Sequence, residues 1–170
     1  MKFAHDYSKH TGSFLTLLSC YTRIVKVAVK KIVVDSSLVI KWYVPQPYSS
    51  KAREILNAYQ DGSLLLLAPD FIYAEVGNII WKLQRFQGLS QTDAQAILNA
   101  FQLVTFVLTP AASLLNDAYC LAVSHQRSVY DALYVALSLR QQCQFVTADE
   151  KFVNAISSTF QKVILIANWS

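Results

Sequence analysis

The chain has 170 residues, of which 54% are apolar and 15% charged, a balance that fills one core and leaves little room for intrinsic disorder. Its net charge of +4 sits wholly in residues 1–31, where six cations face Asp6 alone; the rest carries nine cations against ten anions. The body therefore lacks the overall basic bias of a protein that holds nucleic acid by charge alone, and no apolar stretch approaches the ~20 residues that span a bilayer.

Residues 1–30 read as an N-terminal extension, disordered or weakly helical. Phe14-Leu15-Thr16-Leu17-Leu18-Ser19-Cys20 makes a poor signal peptide, being short, interrupted by Thr16 and preceded by a polar, Asp-containing stretch. Val29, just ahead of Lys30-Lys31-Ile32, offers an alternative start that would open the chain almost directly on its first strand. Cys20, Cys120 and Cys143 have no metal-ligand spacing and no disulfide framework. They read as small buried residues of a protein from a reducing, cytoplasmic compartment.

Ile32-Val33-Val34-Asp35 is the first strand, and a helix runs from Ser36 to about Tyr43, ended by Pro45 and Pro47. Tyr48–Gln60 repeats apolar residues at helical spacing and closes on Asp61-Gly62. Leu64–Leu67 is a short buried strand. Pro69-Asp70 opens a long helix to about Gln87, and another runs from Ser90 to about Phe101. Val104–Leu108 is a strand, Pro110 starts a helix to about Gln126, and Asp131 opens the next, through Gln142. Gln144–Val146 is a strand, Asp149 opens a short helix, and Lys162–Ile166 is the last strand. Such alternation predicts a single α/β domain over residues 31–168, with a mainly parallel central sheet and helices on both faces.

Four acidic residues occupy positions that surface solvation explains poorly. Asp35 and Asp149 each follow a strand, where ligands of open α/β sheets gather. Asp131 follows Val129-Tyr130, and Glu75 lies inside Phe71-Ile72-Tyr73-Ala74-Glu75-Val76, with no cation until Lys82 two turns on. Helix capping accounts for Asp35, Asp131 and Asp149 taken singly. A half-buried Glu75, however, needs a partner or it neutralises, and a divalent cation answers that need better than distant Lys82. Converging carboxylates suit Mg²⁺ or Mn²⁺, and such a site can activate water for in-line attack on a phosphodiester.

Other templates fail. Gly12, Gly62, Gly77 and Gly88 form no phosphate loop, no serine elbow is present, and His5, His10 and His125 make no zinc pattern. His125 reads as a helix-end residue, Asp70 as helix-opening and Asp117 as surface. Asn78, one turn from Glu75, reads as a helix-face polar residue. Lys41, Lys82, Arg85 and Lys151 read as solvated cations within reach of phosphates. Trp42, Tyr43 and Trp81 read as core residues before base-stacking ones.

Val33-Val34-Asp35-Ser36-Ser37, Ala74-Glu75-Val76-Gly77-Asn78, Tyr130-Asp131-Ala132-Leu133-Tyr134 and Thr147-Ala148-Asp149-Glu150-Lys151-Phe152, in that order and at that spacing, resemble the PIN-domain nucleases, specifically the VapC-type toxins of toxin–antitoxin pairs. The resemblance covers residues 31–168 and implies a Mg²⁺- or Mn²⁺-dependent endoribonuclease. It further implies that Asp35, Glu75, Asp131 and Asp149 are the metal ligands, directly or through water, with Thr147 and Ser36 orienting carboxylates or water. RNA as substrate, a cognate antitoxin and a homodimer are the partners it implies. Two alternatives stand beside it: a non-catalytic PIN-like module that binds RNA or protein, and a metal-dependent phosphatase of another α/β fold. The second is weakened because no acidic residue follows Asp35 two positions on.

Overall fold

Ile32, Val33 and Val34 are all fully buried in succession, so both faces of the first strand are covered, as in sheets flanked by helices on each side. The computed structural model describes residues 29–170; the expectations for the leading segment up to residue 28 lie outside it. Five strands form one all-parallel sheet: β1 (Lys30–Val34), β2 (Leu64–Pro69), β3 (Val107–Thr109), β4 (Gln144–Thr147) and β5 (Val163–Leu165). Their spatial order is β3-β2-β1-β4-β5. The chain first builds outward from β1 to β3, then returns to place β4 on the other flank of β1. The sheet's switch point, where such folds open a crevice for ligands, therefore lies between β1 and β4.

Among the described residues seven α-helices connect the strands: α1 (Ser36–Val39), α2 (Ser49–Gln60), α3 (Ile72–Phe86), α4 (Gln91–Gln102), α5 (Ala111–His125), α6 (Val129–Gln141) and α7 (Glu150–Ile156). Every residue of α6 from Ala132 to Ser138 is buried. It is the inner helix, packed against α5 and against β1, β2 and β4. A helix buried on all sides shows little amphipathic pattern, and Ala132-Leu133-Tyr134-Val135-Ala136-Leu137 indeed has none. No helix among the described residues is long and apolar enough to cross a membrane.

Several expectations shift. α1 lasts one turn and continues as a 3₁₀ turn, Ile40–Trp42, with the Trp42 indole N–H donating to the Ala52 carbonyl at 2.9 Å. β3 lies at Val107–Thr109 rather than Val104–Leu108. Val104 and Phe106 are apolar because they fill the core from the preceding loop, not because they pair in the sheet. α6 begins two residues before Asp131, capped by Ser128. Asp70 does not cap α3, whose N-cap Phe71 makes no side-chain bond; its carboxylate accepts from the Ala111 N–H at 3.0 Å and caps α5 instead. Cys143 is buried but Cys120 is exposed. Trp42 belongs to the core, whereas Trp81 is 52% exposed.

Candidate active site

All four sequence-predicted carboxylates stand at helix beginnings. Asp35 is the N-cap of α1, Glu75 lies in the first turn of α3, Asp131 in the first turn of α6, and Asp149 is the N-cap of α7. Because helices in parallel α/β units run back against the strands, these starts gather at the carboxyl edge of the sheet. Unpaired N–H groups at a helix start favour negative charge, so the fold itself offsets some of the repulsion among the four. Capping and site formation are therefore one arrangement here.

The centre of the site bridges the switch point. Val34 pairs with Val146, which brings Asp35 and Thr147 beside each other at the ends of β1 and β4. The Thr147 hydroxyl donates to Asp35 Oδ2 at 2.6 Å. Ser37 Oγ lies 2.8 Å and 3.0 Å from the two Asp35 oxygens and 3.2 Å from Thr147 Oγ1. The Leu38 N–H donates to Asp35 Oδ1 at 3.0 Å. Ser37 Oγ also accepts from the Ala148 N–H at 3.1 Å, and Thr147 Oγ1 from the Asp149 N–H at 3.1 Å. Two hydroxyls thus lock the Asp35 carboxylate and the start of the Asp149 loop into one network. Ser37 is the hub around Asp35, while neighbouring Ser36 acts on the Glu75 carboxylate.

Burial pushes the Asp35 carboxyl up to about 6, against the hydrogen bonds from Thr147, Ser37 and Leu38, while the Asp149 charge pushes it further up. Glu75 is also raised, by burial first; its Tyr134 and Ser36 hydrogen bonds oppose this, and the Asp35 and Asp131 charges add to it. Asp149 therefore acts on Asp35, and Asp35 and Asp131 act on Glu75, which joins the four into one electrostatic group.

Tyr134 was not anticipated. Its hydroxyl donates to Glu75 Oε2, which gives Glu75 a neutral partner where, among the described residues, no cation pairs with it. The ring is 3% exposed, stacked on Phe145 at 5.5 Å and edge-on to Phe71 at 5.5 Å. Burial and the Glu75 charge hold its phenol far above the ordinary range, so it remains a donor. The signal was its place one turn after Asp131, on the same face of α6.

Lys41 is a second surprise. It is 8% exposed, not solvated, and its ammonium donates to Gln46 Oε1 at 3.1 Å. Burial lowers its pKa, while the Asp35 charge holds it up. Asn78, Lys82, Arg85 and Lys151 are exposed as expected, Asp117 pairs with Arg140 at 3.0 Å on the surface, and His125 ends α5 with its ring edge-on to Phe160.

Asp131 is held less directly. It is exposed, and its Oδ2 accepts from the Ser128 hydroxyl at 2.7 Å while its N–H donates to that oxygen at 3.1 Å. Asp149 Oδ1 accepts from the Phe152 N–H at 2.9 Å. Among the described residues no three His, Cys, Asp or Glu side chains stand grouped as a ready metal site, and no Lys or Arg forms an ion pair with any of the four carboxylates. Asp35 and Thr147 are drawn together, with Asp149 tied to Thr147 through its backbone; Asp131 is turned onto its capping serine. The donors are nonetheless all hard oxygens, and the two inner carboxylates are raised by burial, with neighbouring carboxylate charges adding to it, an arrangement that suits Mg²⁺ or Mn²⁺.

The family model for the PIN domain matches residues 32–156, from β1 through α7 and so across all four carboxylates. The chain belongs to the PIN-domain family. Among PIN relatives it is 32% identical to Ribonuclease VapC3 of Pyrobaculum aerophilum over 123 residues, which cover 71% of this chain and 91% of the relative. The PIN fold recurs in the crystal structure of Pyrobaculum aerophilum PAE2754, with a TM-score of 0.59 at 17% identity, covering 82% of this chain and 85% of that one. It recurs also in Mycobacterium tuberculosis VapC20, described as a sarcin–ricin loop cleaving toxin, with a TM-score of 0.54 at 18% identity, covering 73% and 94% of the two chains.

Proposed function

We propose that this PIN protein is a divalent-metal-dependent endoribonuclease, the toxin of a toxin–antitoxin pair. The observation that carries the reading is the Asp35–Ser37–Thr147 network at the β1/β4 switch point, with Glu75, Asp131 and Asp149 around it and, among the described residues, no cation paired to any of them. The likeness to a relative named Ribonuclease VapC3 supports the substrate class.

Asp35, Glu75 and Asp149 would hold Mg²⁺ or Mn²⁺, with Asp131 joining them directly or through water. The ion, when bound, supplies Lewis-acid polarisation of a phosphoryl oxygen and lowers the pKa of water. The protein's own part is positioning. Thr147 and Ser37 fix both Asp35 oxygens, and Tyr134 occupies Glu75 Oε2 and so sets how the remaining oxygen faces the site. The outer-lying Asp131 serves the same edge from α6. A cognate antitoxin that covers this edge, and a homodimer as the working form, complete the proposal.

Purified protein is expected to cleave RNA with Mg²⁺ or Mn²⁺, to lose that activity in EDTA, and to lose it in Asp35→Asn while remaining folded. RNA binding without turnover at any Mg²⁺ or Mn²⁺ concentration would instead identify a binding module. Steady turnover of a small phosphomonoester would point to a phosphatase.

A further inference from the structure

α3 does more than deliver Glu75. Beyond its first turn it carries Lys82 and Arg85, neither in an ion pair among the described residues, and Glu75 is its only acidic residue. Lys82 lies two turns from Glu75 on the same face. Next to these cations stand two large aromatic side chains in the open: Trp81 is 52% and Phe86 69% exposed. Their rings meet edge to face at 5.7 Å, and the Arg85 guanidinium lies 5.7 Å from the Phe86 ring. Trp81 also forms one wall of an open groove of about 230 Å³ between α3 and α4, lined by Gln84, Gln91 and Gln95 together with Ile80, Ala94 and Leu98.

Core packing explains none of these exposures. The groove mixes an indole and the apolar Ile80, Ala94 and Leu98 with side-chain amides, each amide both donor and acceptor. Exposed rings beside unpaired cations, with amides at the edge, match what unstacked bases and their phosphates require. With a rise of 1.5 Å per residue, Trp81 lies about 9 Å and Phe86 about 16 Å along the helix from Glu75.

We propose that the outer face of α3 is a binding strip for single-stranded RNA, with Trp81 and Phe86 as base platforms, Lys82 and Arg85 on phosphates and the α3–α4 glutamines at base edges. It rests on the ribonuclease reading and names how the substrate is held outside the reacting centre. The strip selects unpaired RNA, because a base already stacked within a duplex cannot reach the rings.

The test uses the full chain carrying Asp35→Asn, so that RNA is bound but not consumed, and a labelled short single-stranded RNA of mixed sequence followed by fluorescence anisotropy. Trp81→Ala with Phe86→Ala is expected to weaken binding about 5- to 100-fold, and Trp81→Phe to restore part of it. Lys82→Gln and Arg85→Gln are expected to lower the slope of log Kd against log salt by about 0.7 for each charge removed; these two, being solvated, keep the test informative if the aromatic pair alters folding. In the parent chain with Asp35 intact, Trp81→Ala raises KM for RNA and leaves kcat at saturation. Unchanged RNA affinity in both pairs of variants overturns the strip, as does an aromatic variant that changes only the oligomeric state or antitoxin binding, which would make this face a protein interface. A parent chain that cleaves no RNA under any metal defeats the ribonuclease reading; cleavage that is intact and indifferent to α3 defeats the strip alone.

Discussion

The Thr147 hydroxyl lies 2.6 Å from Asp35 Oδ2 and donates to it across the boundary between β1 and β4. Thr147 is fully buried, so its hydroxyl has no water to turn to if the carboxylate is lost. Thr147→Val keeps the shape and removes the donor. Loss of such an orienting bond commonly costs about 10- to 100-fold in metal affinity or activity. We expect a decrease of that size in cleavage, with about 1–3 kcal/mol of stability lost, and recovery of most activity in Thr147→Ser. Cleavage rates and thermal melts of the three proteins check this.

Asp35 gives the fold a pH dependence of definite sign. Its folded pKa of about 6 lies above the ordinary 3.8. Its contribution to stability is therefore complete below the ordinary value and is lost as pH rises through about 6. The ionised group then costs on the order of 2–3 kcal/mol. Without divalent ions, the parent is expected to lose stability across that window, and Asp35→Asn, which keeps the helix cap, to lose less. Added Mg²⁺ should restore the parent and leave the variant unmoved. Melts above and below the window, with EDTA and with Mg²⁺, decide it; parallel curves for the two proteins would refute the assignment.

Tyr134→Phe removes only the hydroxyl that meets Glu75 and leaves the ring against Phe145 and Phe71. Glu75 then loses the donor that favours its charged form. Mn²⁺ binding measured without RNA should weaken about 10- to 100-fold, and kcat should fall with KM for RNA unchanged. Unaltered Mn²⁺ affinity with a lowered melting temperature would show that the hydroxyl serves packing alone.

Ser128 and Asp131 separate capping from chemistry. Ser128→Ala removes the α6 cap and should cost about 1 kcal/mol while cleavage persists. Asp131→Asn should do the reverse, keeping the fold and reducing cleavage. Equal effects of both on stability, with cleavage intact in both, would assign Asp131 to the cap.

The run Ile32-Val33-Val34 before Asp35, and Phe145-Val146-Thr147 before Asp149, made the central strands and their two carboxylates legible, because buried parallel strands are apolar without interruption. Glu75 was legible as a charge inside an apolar helix. What one chain cannot display is pairing across distance. Tyr134 reads as another core aromatic until α6 is laid against α3, and Ser37 as one of two adjacent serines until β4 arrives. Lys41 and Trp81 were misread in opposite directions for the same reason: sequence shows what a side chain is, whereas its exposure depends on which neighbours the fold supplies. The Asp131 error was local. Ser128-x-x-Asp131 is a capping arrangement whose acidic member sits inside the first turn, and the carboxylate drew the boundary to itself.

The bond between Thr147 and Asp35 joins residues 112 apart in sequence, and this carries a consequence for the chain's own birth. Asp35 and Glu75 leave the ribosome long before their counterparts are made. At about 5–20 residues per second, roughly 6–22 s separate the synthesis of Asp35 from that of Thr147, and the nascent protein lacks the β4 side of its centre throughout. On the ribonuclease reading, a chain still growing towards β4 is expected to leave the ribosome and message that produce it largely uncut, and a chain that stops short of Thr147 to remain so.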